Sequence, residues 1–176
     1  FTLSAWVKKT SAGTSGYVLS RRKDTDRQYG MYLFASDNSL MFVGEEDADT
    51  GYNMPVTGWH HLVIVVHTTT VVTYVNGTYI STVGISQINS AASDVNTLIG
   101  ARETSSGQIL YHDGDVDEVM MFNRTLNDSE ISLLYNSSAG YYARLTKLPE
   151  GKHTYKSYAV DIAGNKNETE ERTIDI

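Results

Sequence analysis

Apolar and polar residues alternate with a period of two along most of this chain, in short runs broken by Gly, Asn, Asp and Ser. Such runs put one set of side chains on each face of a strand, a segregation that helical spacing does not give. In Phe1-Thr-Leu-Ser-Ala-Trp-Val-Lys8 the residues Phe1, Leu3, Ala5 and Val7 share a face. Trp6 falls on the other face and is nonetheless predicted to be largely buried. Residues 17–21, 29–35 and 40–43 read as successive strands, with Asp37-Asn38 as the turn between the last two. Residues 60–67 form a strongly apolar strand. Residues 71–75 and 79–83 flank Asn76-Gly77, the residue pair of a two-residue primed hairpin turn. Residues 97–101 and 116–122 complete the series. One segment reads as a helix: Asn127 or Asp128 caps it, Glu130 lies in its first turn, and Ile131, Leu133 and Leu134 supply apolar contacts. The 19 Thr and 12 Tyr suit half-buried pleated surfaces. The pattern predicts an all-β fold, an antiparallel β-sandwich with one short helix.

Composition removes several functions. With 14 basic and 21 acidic residues the net charge is −7, which repels phosphate backbones and argues against a nucleic-acid groove. The longest apolar run, 62–66, is far short of the ~20 residues a membrane helix needs. No cysteine is present, so disulfides, Cys-ligated metals and thiol nucleophiles are excluded. No Ser sits in a Gly-x-Ser-x-Gly elbow, and no phosphate-binding glycine loop occurs. Binding or carboxylate chemistry is what is left.

Five segments occur in a telling order: 1–8, Gly-Trp-His-His-Leu-Val (58–63), Thr-Tyr-Val-Asn-Gly (73–77), Leu-Ile-Gly-Ala (98–101) and Gly-Asp-Val-Asp-Glu-Val-Met-Met-Phe-Asn-Arg-Thr-Leu (114–126). The series resembles the laminin G-like, concanavalin A-like jelly roll of prokaryotic surface proteins, over residues 1–137. The resemblance implies an extracellular adhesion or glycan-binding module, or a packing role in a larger surface protein or polysaccharide-active enzyme. The family pattern opens with one or two further strands, often containing Asp-Gly, that help build a rim calcium site. Those strands do not precede Phe1 in this sequence, which starts within a strand, as a fragment would. Residues 138–176 read as a second unit with strands at 141–147, 153–161 and 169–176; its last two resemble the final hairpin of an immunoglobulin-like repeat. Half a sandwich beside an incomplete jelly roll leads to the expectation that the two cover each other, or that two copies exchange strands into a dimer.

Candidate sites follow from chemistry. Asp113, Asp115 and Asp117 alternate along a predicted strand and so share one side. The row resembles the Glu-x-Asp-x-Glu of laminarinase-like glucanases, where one carboxylate is nucleophile and another acid, except that all three residues here are Asp. A calcium-binding role and a purely structural one stand beside that reading; an EF-hand is excluded because Glu118 and Arg124 occupy its Gly and Glu positions. Glu45, Asp47 and Asp49 fall in a predicted acidic loop, a second place for calcium or a merely solvated turn. Asp24 and Asp26 sit among Arg21, Arg22, Lys23 and Arg27, which local ion pairs explain. His60 and His61 point to opposite faces and cannot chelate one ion; one is expected in the core and the other at the surface. Tyr52 with Asn53, and Tyr111 with His112, fall in predicted loops or strand ends and are candidates for stacking on a glycan. Tyr29 and Tyr32 have opposite parity, so at most one faces outward. Sequons at Asn76, Asn123, Asn127, Asn136 and Asn167 fit an exported protein. The expectation is a non-catalytic extracellular binding module; a polysaccharide hydrolase and a ligand-free spacer are the alternatives.

Overall fold

A computed structural model describes residues 1–86, 94–138, 149–160 and 166–175. Two compact units divide the chain, Phe1–Tyr141 and Tyr142–Ile176. The first unit contains β1 (Thr2–Lys9), β2 (Gly16–Arg22), β3 (Arg27–Leu33), β4 (Ser39–Val43), β5 (Ala48–Asn53), β6 (His60–Val66), β7 (Thr70–Val75), β8 (Thr78–Gly84), β9 (Leu98–Ile99), β10 (Ala101–Glu103), β11 (Ile109–Tyr111), β12 (Gly114–Phe122) and α1 (Asp128–Ser138). Two five-stranded antiparallel sheets result, ordered β12-β1-β6-β7-β8 and β5-β4-β3-β2-β9. The fold is an all-β sandwich of the expected kind.

The core lies between the sheets. Leu3, Ala5, Val7, Leu62 and Ile64 of the first sheet meet Leu19, Met31, Leu33, Leu40 and Phe42 of the second, all essentially inaccessible. The period-two reading of β1 therefore places its apolar face correctly. Along one side the sandwich closes where Ser81 of β8 donates its hydroxyl to the Thr50 carbonyl of β5. Asn76 and Gly77 both have positive φ, as the primed turn between β7 and β8 requires.

The unbroken apolar run of β6 has a simple cause: both its faces are covered. Leu62, Ile64 and Val66 enter the core, while Val63 and Val65 lie beneath Leu126, Ile131 and Leu134 on the helix side. The helix start is a reciprocal cap. Asn127 Oδ1 accepts from the Glu130 amide, and Glu130 Oε2 accepts from the Asn127 amide. Trp6, predicted to be largely buried, is only half-buried under α1. Its indole stacks on Tyr135 at 5.7 Å and donates to Ser138 Oγ at 2.9 Å.

Three strand expectations change. Residues 97–101 are not one strand, because Gly100 at φ 66° turns the chain from β9, paired with β2, into β10, paired with β11. The acidic stretch 45–49, predicted as a loop, runs into the edge strand β5, which ends at Asn53. The alternation of β12 breaks at Glu118, a bulge with φ 46° opposite the stretch between Ser4 and Trp6.

The second unit, as described, is a hairpin interrupted once. β13 (Lys152–Tyr155) pairs with β16 (Arg172–Asp175), and β14 (Tyr158–Val160) pairs with β15 (Lys166–Glu168). The predicted strand 153–161 splits into β13 and β14, and 169–176 holds only β16, with β15 before it, because two residues between the ladders oppose three. There the Ser157 amide donates to Thr169 Oγ1, and the Thr169 amide donates to the Ser157 carbonyl. The strand expected at 141–147 lies outside the described residues.

Candidate ligand-binding face

The second sheet has an outer face that α1 does not cover. Met31 and Leu33 of β3 point into the core, so Gly30 and Tyr32 point outward, and Tyr29 instead packs against the core edge beside Phe1. Register places Tyr17 of β2 and Met41 of β4 opposite Tyr32. The rings of Tyr17 and Tyr32 stack at 4.9 Å with 19° between their planes, and Phe34 meets Tyr32 edge-on at 6.4 Å. Phe34 is 45% exposed, whereas each tyrosine is 7% exposed. An aromatic row thus ends in an accessible ring.

Cations flank this row. The Arg102 guanidinium lies 5.4 Å from the centre of the Tyr17 ring and donates to its hydroxyl at 3.1 Å. Arg22 lies 5.9 Å from the same ring and donates to both carboxylate oxygens of Asp47, at 3.2 and 3.3 Å. Arg27 pairs with Asp47 at 3.7 Å, Lys23 with Glu103 at 3.4 Å, and Arg102 with Asp24. The Asp24 pair joins different elements, which corrects for Asp24 the expectation of a local partner within 21–27; Asp26 accepts from Gln28 Nε2. Burial, with Asp47 and Tyr17 adding to it, pushes the Tyr32 hydroxyl up to about 12, so it stays a neutral hydrogen-bond donor. The Nε groups of Arg22 and Arg102 are buried without a hydrogen-bond acceptor. Leaving a buried donor unpaired is costly, and the π-face of Tyr17 offsets part of that cost. Rings, guanidinium forks and carboxylates on one uncovered face are the elements with which proteins hold the apolar face and hydroxyls of a sugar.

The residues singled out in the sequence are distributed elsewhere. Tyr52 is half-buried with its hydroxyl 3.3 Å from His60 Nδ1, and Asn53 pairs with Ser39 in the β4–β5 ladder. Tyr111 ends β11 and is 72% exposed. His112 is wedged against Gly16, where a Cβ would lie 2.3 Å from its Nδ1. Burial first, and Lys9 in addition, hold His112 below its usual range. Sheet order puts Tyr52 and Asn53 at the β5–β8 side of the sandwich and the Asp113–Asp117 segment at the opposite, β12 side. His60 accordingly sits half-exposed while His61 is buried, its Nε2 2.9 Å from Ser4 Oγ.

Asp115 and Asp117 do share a face, opposite Lys8 and Trp6, but Asp113 precedes the strand. Asp113 accepts from the hydroxyls of Ser11 and Thr14, which hold it below the usual carboxylate range. Asp115 pairs with Lys8 at 3.1 Å, and Asp117 accepts from the Glu118 amide. In the other acidic stretch, Asp47 is bound by Arg22 and Arg27 and Asp49 accepts from the Gly51 amide. Among the described residues no three His, Asp or Glu side chains converge on a metal-sized point. Glu45, in the same acidic stretch, is exposed.

The sequence signal for the aromatic face was present but non-local. Tyr17 and Tyr32 become neighbours only through the β2–β3 register, and Arg102 arrives from a hairpin 80 or so positions along the chain.

Comparison with known proteins adds the family context. A family model described as concanavalin A-like lectin/glucanases superfamily matches residues 1–132. Domain 4 of AbnA, a GH43 extracellular arabinanase from Geobacillus stearothermophilus in complex with arabinotriose, is 18% identical with a TM-score of 0.60, over 76% of this chain and 65% of that one. The native heptameric SAP-like pentraxin from Limulus polyphemus is 18% identical with a TM-score of 0.56, over 76% and 68%. The binding domain of botulinum neurotoxin DC, in complex with rat synaptotagmin II, is 15% identical with a TM-score of 0.53, over 77% and 35%. The chain therefore spans less than two thirds of the arabinanase domain and about a third of the neurotoxin domain. At these identities the likeness establishes the fold. No curated protein sequence matches the chain.

Proposed function

Because the chain belongs to the concanavalin A-like lectin/glucanases superfamily over residues 1–132, we propose that it is a non-catalytic binding module for a glycan or another cell-surface ligand. The observation that carries this reading is the row Tyr17, Tyr32 and Phe34 on the face that α1 leaves free, with Arg22, Arg102 and Asp47 beside it. A sugar ring stacks its apolar face on Phe34, the accessible end of the row. The arabinotriose held by the arabinanase domain and the synaptotagmin held by the neurotoxin domain support a ligand-binding role for this fold. The module acts outside the cell, a reading supported by the extracellular nature of the arabinanase and by the five sequons.

A hydrolase would need one free carboxylic acid and one free carboxylate facing a substrate. In the Asp113, Asp115 and Asp117 row each carboxylate is instead engaged by Ser11 and Thr14, by Lys8, or by a backbone amide. That arrangement supports the non-catalytic reading. The test is a glycan array followed by calorimetric titration of the best glycan. Phe34→Ala is expected to weaken binding about tenfold, and Tyr111→Ala to leave it unchanged. An array with no specific glycan, together with no binding to cell-surface material, would make the domain a spacer.

A further inference from the structure

In this cysteine-free chain one pair of side chains is placed as reaction partners. Lys9 ends β1 at 1% exposure, an unusual position for an amine. Its Nζ has two acceptors, the Thr14 carbonyl and Asn38 Oδ1, each at 2.5 Å. Asn38 is itself clamped: its amide donates to the Phe34 carbonyl and its carbonyl accepts from the Met54 amide. A carbonyl bond of about 1.23 Å then puts Asn38 Cγ no farther than about 3.7 Å from Nζ, near the separation of a reactive conformer, about 3–3.5 Å. A carboxylate stands next to this pair, bound to Thr14 rather than to Nζ. Thr14, whose carbonyl holds Nζ, donates its hydroxyl to Asp113 Oδ2 at 3.1 Å, and the Thr10 amide donates to the Asp113 carbonyl. Burial of Lys9 favours the neutral amine, which is the nucleophilic form.

We propose that Lys9 and Asn38 form an intramolecular isopeptide bond that ties β1 to the β3–β4 turn. Neutral Nζ attacks Cγ, and one proton of Nζ passes to Nδ2 as the Cγ–Nδ2 bond breaks. One amide replaces another, ammonia leaves, and no oxidant or reductant is needed. The cross-link joins segments that otherwise meet only through side-chain hydrogen bonds, as a disulfide would in a chain that had cysteines. It is independent of what the aromatic face binds.

Intact-mass spectrometry and peptide mapping of the full chain test it. The expected protein is lighter than its sequence by one ammonia, with a branched peptide linking Lys9 to Asn38. Lys9→Met and Asn38→Gly restore the full sequence mass; Gly suits the positive φ of position 38 and keeps the turn. Full sequence mass in the wild type, with both peptides recovered separately, overturns the proposal. So does an ammonia loss that persists in Lys9→Met, which would be a succinimide at Asn38. If a variant misfolds, the wild-type peptide map alone decides.

Discussion

The outer faces of the two sheets are covered by different kinds of surface. Over the first sheet α1 lays Ile131 and Leu134 on Val63, Val65 and Tyr74, and Tyr135 on Trp6 and His61. Over the second sheet the cover is the sheet's own side chains, Tyr17, Tyr32 and Met41, with Arg22 and Arg102 beside them. Apolar cover gains stability in proportion to the area it removes from water. A cover of guanidinium groups with unpaired Nε donors gains little, because desolvating a charge offsets the contacts it makes. One face is built to hold the fold. The other keeps charged and aromatic groups poised at a cost in stability, the pattern expected where a protein binds something.

The largest expected effect breaks the helix-covered face alone. Trp6→Ala removes the ring between the sheet and Tyr135 and should lower stability by about 3 kcal/mol, read from denaturant midpoints, with ligand affinity intact. Equal loss of affinity would mean that the two faces are not separable.

Acid should act on the same face. Burial beneath α1 holds His61 down at about 4 against an ordinary 6.5. The unfolded chain therefore takes up this proton below pH 6.5, and the folded chain only near pH 4. Stability is full above 6.5 and falls as pH drops from 6.5 towards 4, by up to about 3 kcal/mol. His112, also lowered by burial, contributes in the same direction. The carboxylates of Asp37, Asp113 and Glu130 are lowered too, so their contributions are lost only as pH falls below the ordinary carboxylate range. Unfolding measured against pH should flatten between 6.5 and 4 in His61→Gln. An unchanged slope in that variant would contradict the assignment.

On the second sheet the order reverses. Arg102→Lys keeps the charge but loses the fork over Tyr17, and should weaken glycan binding about tenfold while moving stability by less than about 1 kcal/mol. A loss of stability without a loss of affinity would make Arg102 a fold residue. The smallest effect belongs to the exposed pair at the β12 edge. Asp115→Asn should change stability by less than about 0.5 kcal/mol, since both partners of its ion pair are well exposed, and should leave binding untouched.

Much of the fold was legible because its signals are local. The alternation of β1, the Asn76-Gly77 turn and the Asn127–Glu130 cap each depend on residues within one element. β5 was missed because Ala48-Asp-Thr-Gly-Tyr-Asn53 has few apolar residues and Gly51 at φ 74°; as an edge strand it needs only one neighbour. β11 was missed because three residues show no period. Of the candidate site, the sequence could show that only one of Tyr29 and Tyr32 faces outward. That Tyr32 is the one, and that Tyr17 and Arg102 join it, required the register.

By itself, then, the sequence determined the class of fold, the face that each residue of β1 presents, and where the hairpin and the helix begin. Those features follow from periodicity and capping, which act over a few residues. Only the tertiary structure decided which outer face the helix covers, and that the Asp47 carboxylate meets Arg22 and Arg27. It also decided that a buried Lys9 faces Asn38. Strand order and register set these pairings across the sheets, and neither is written in the spacing of neighbouring residues.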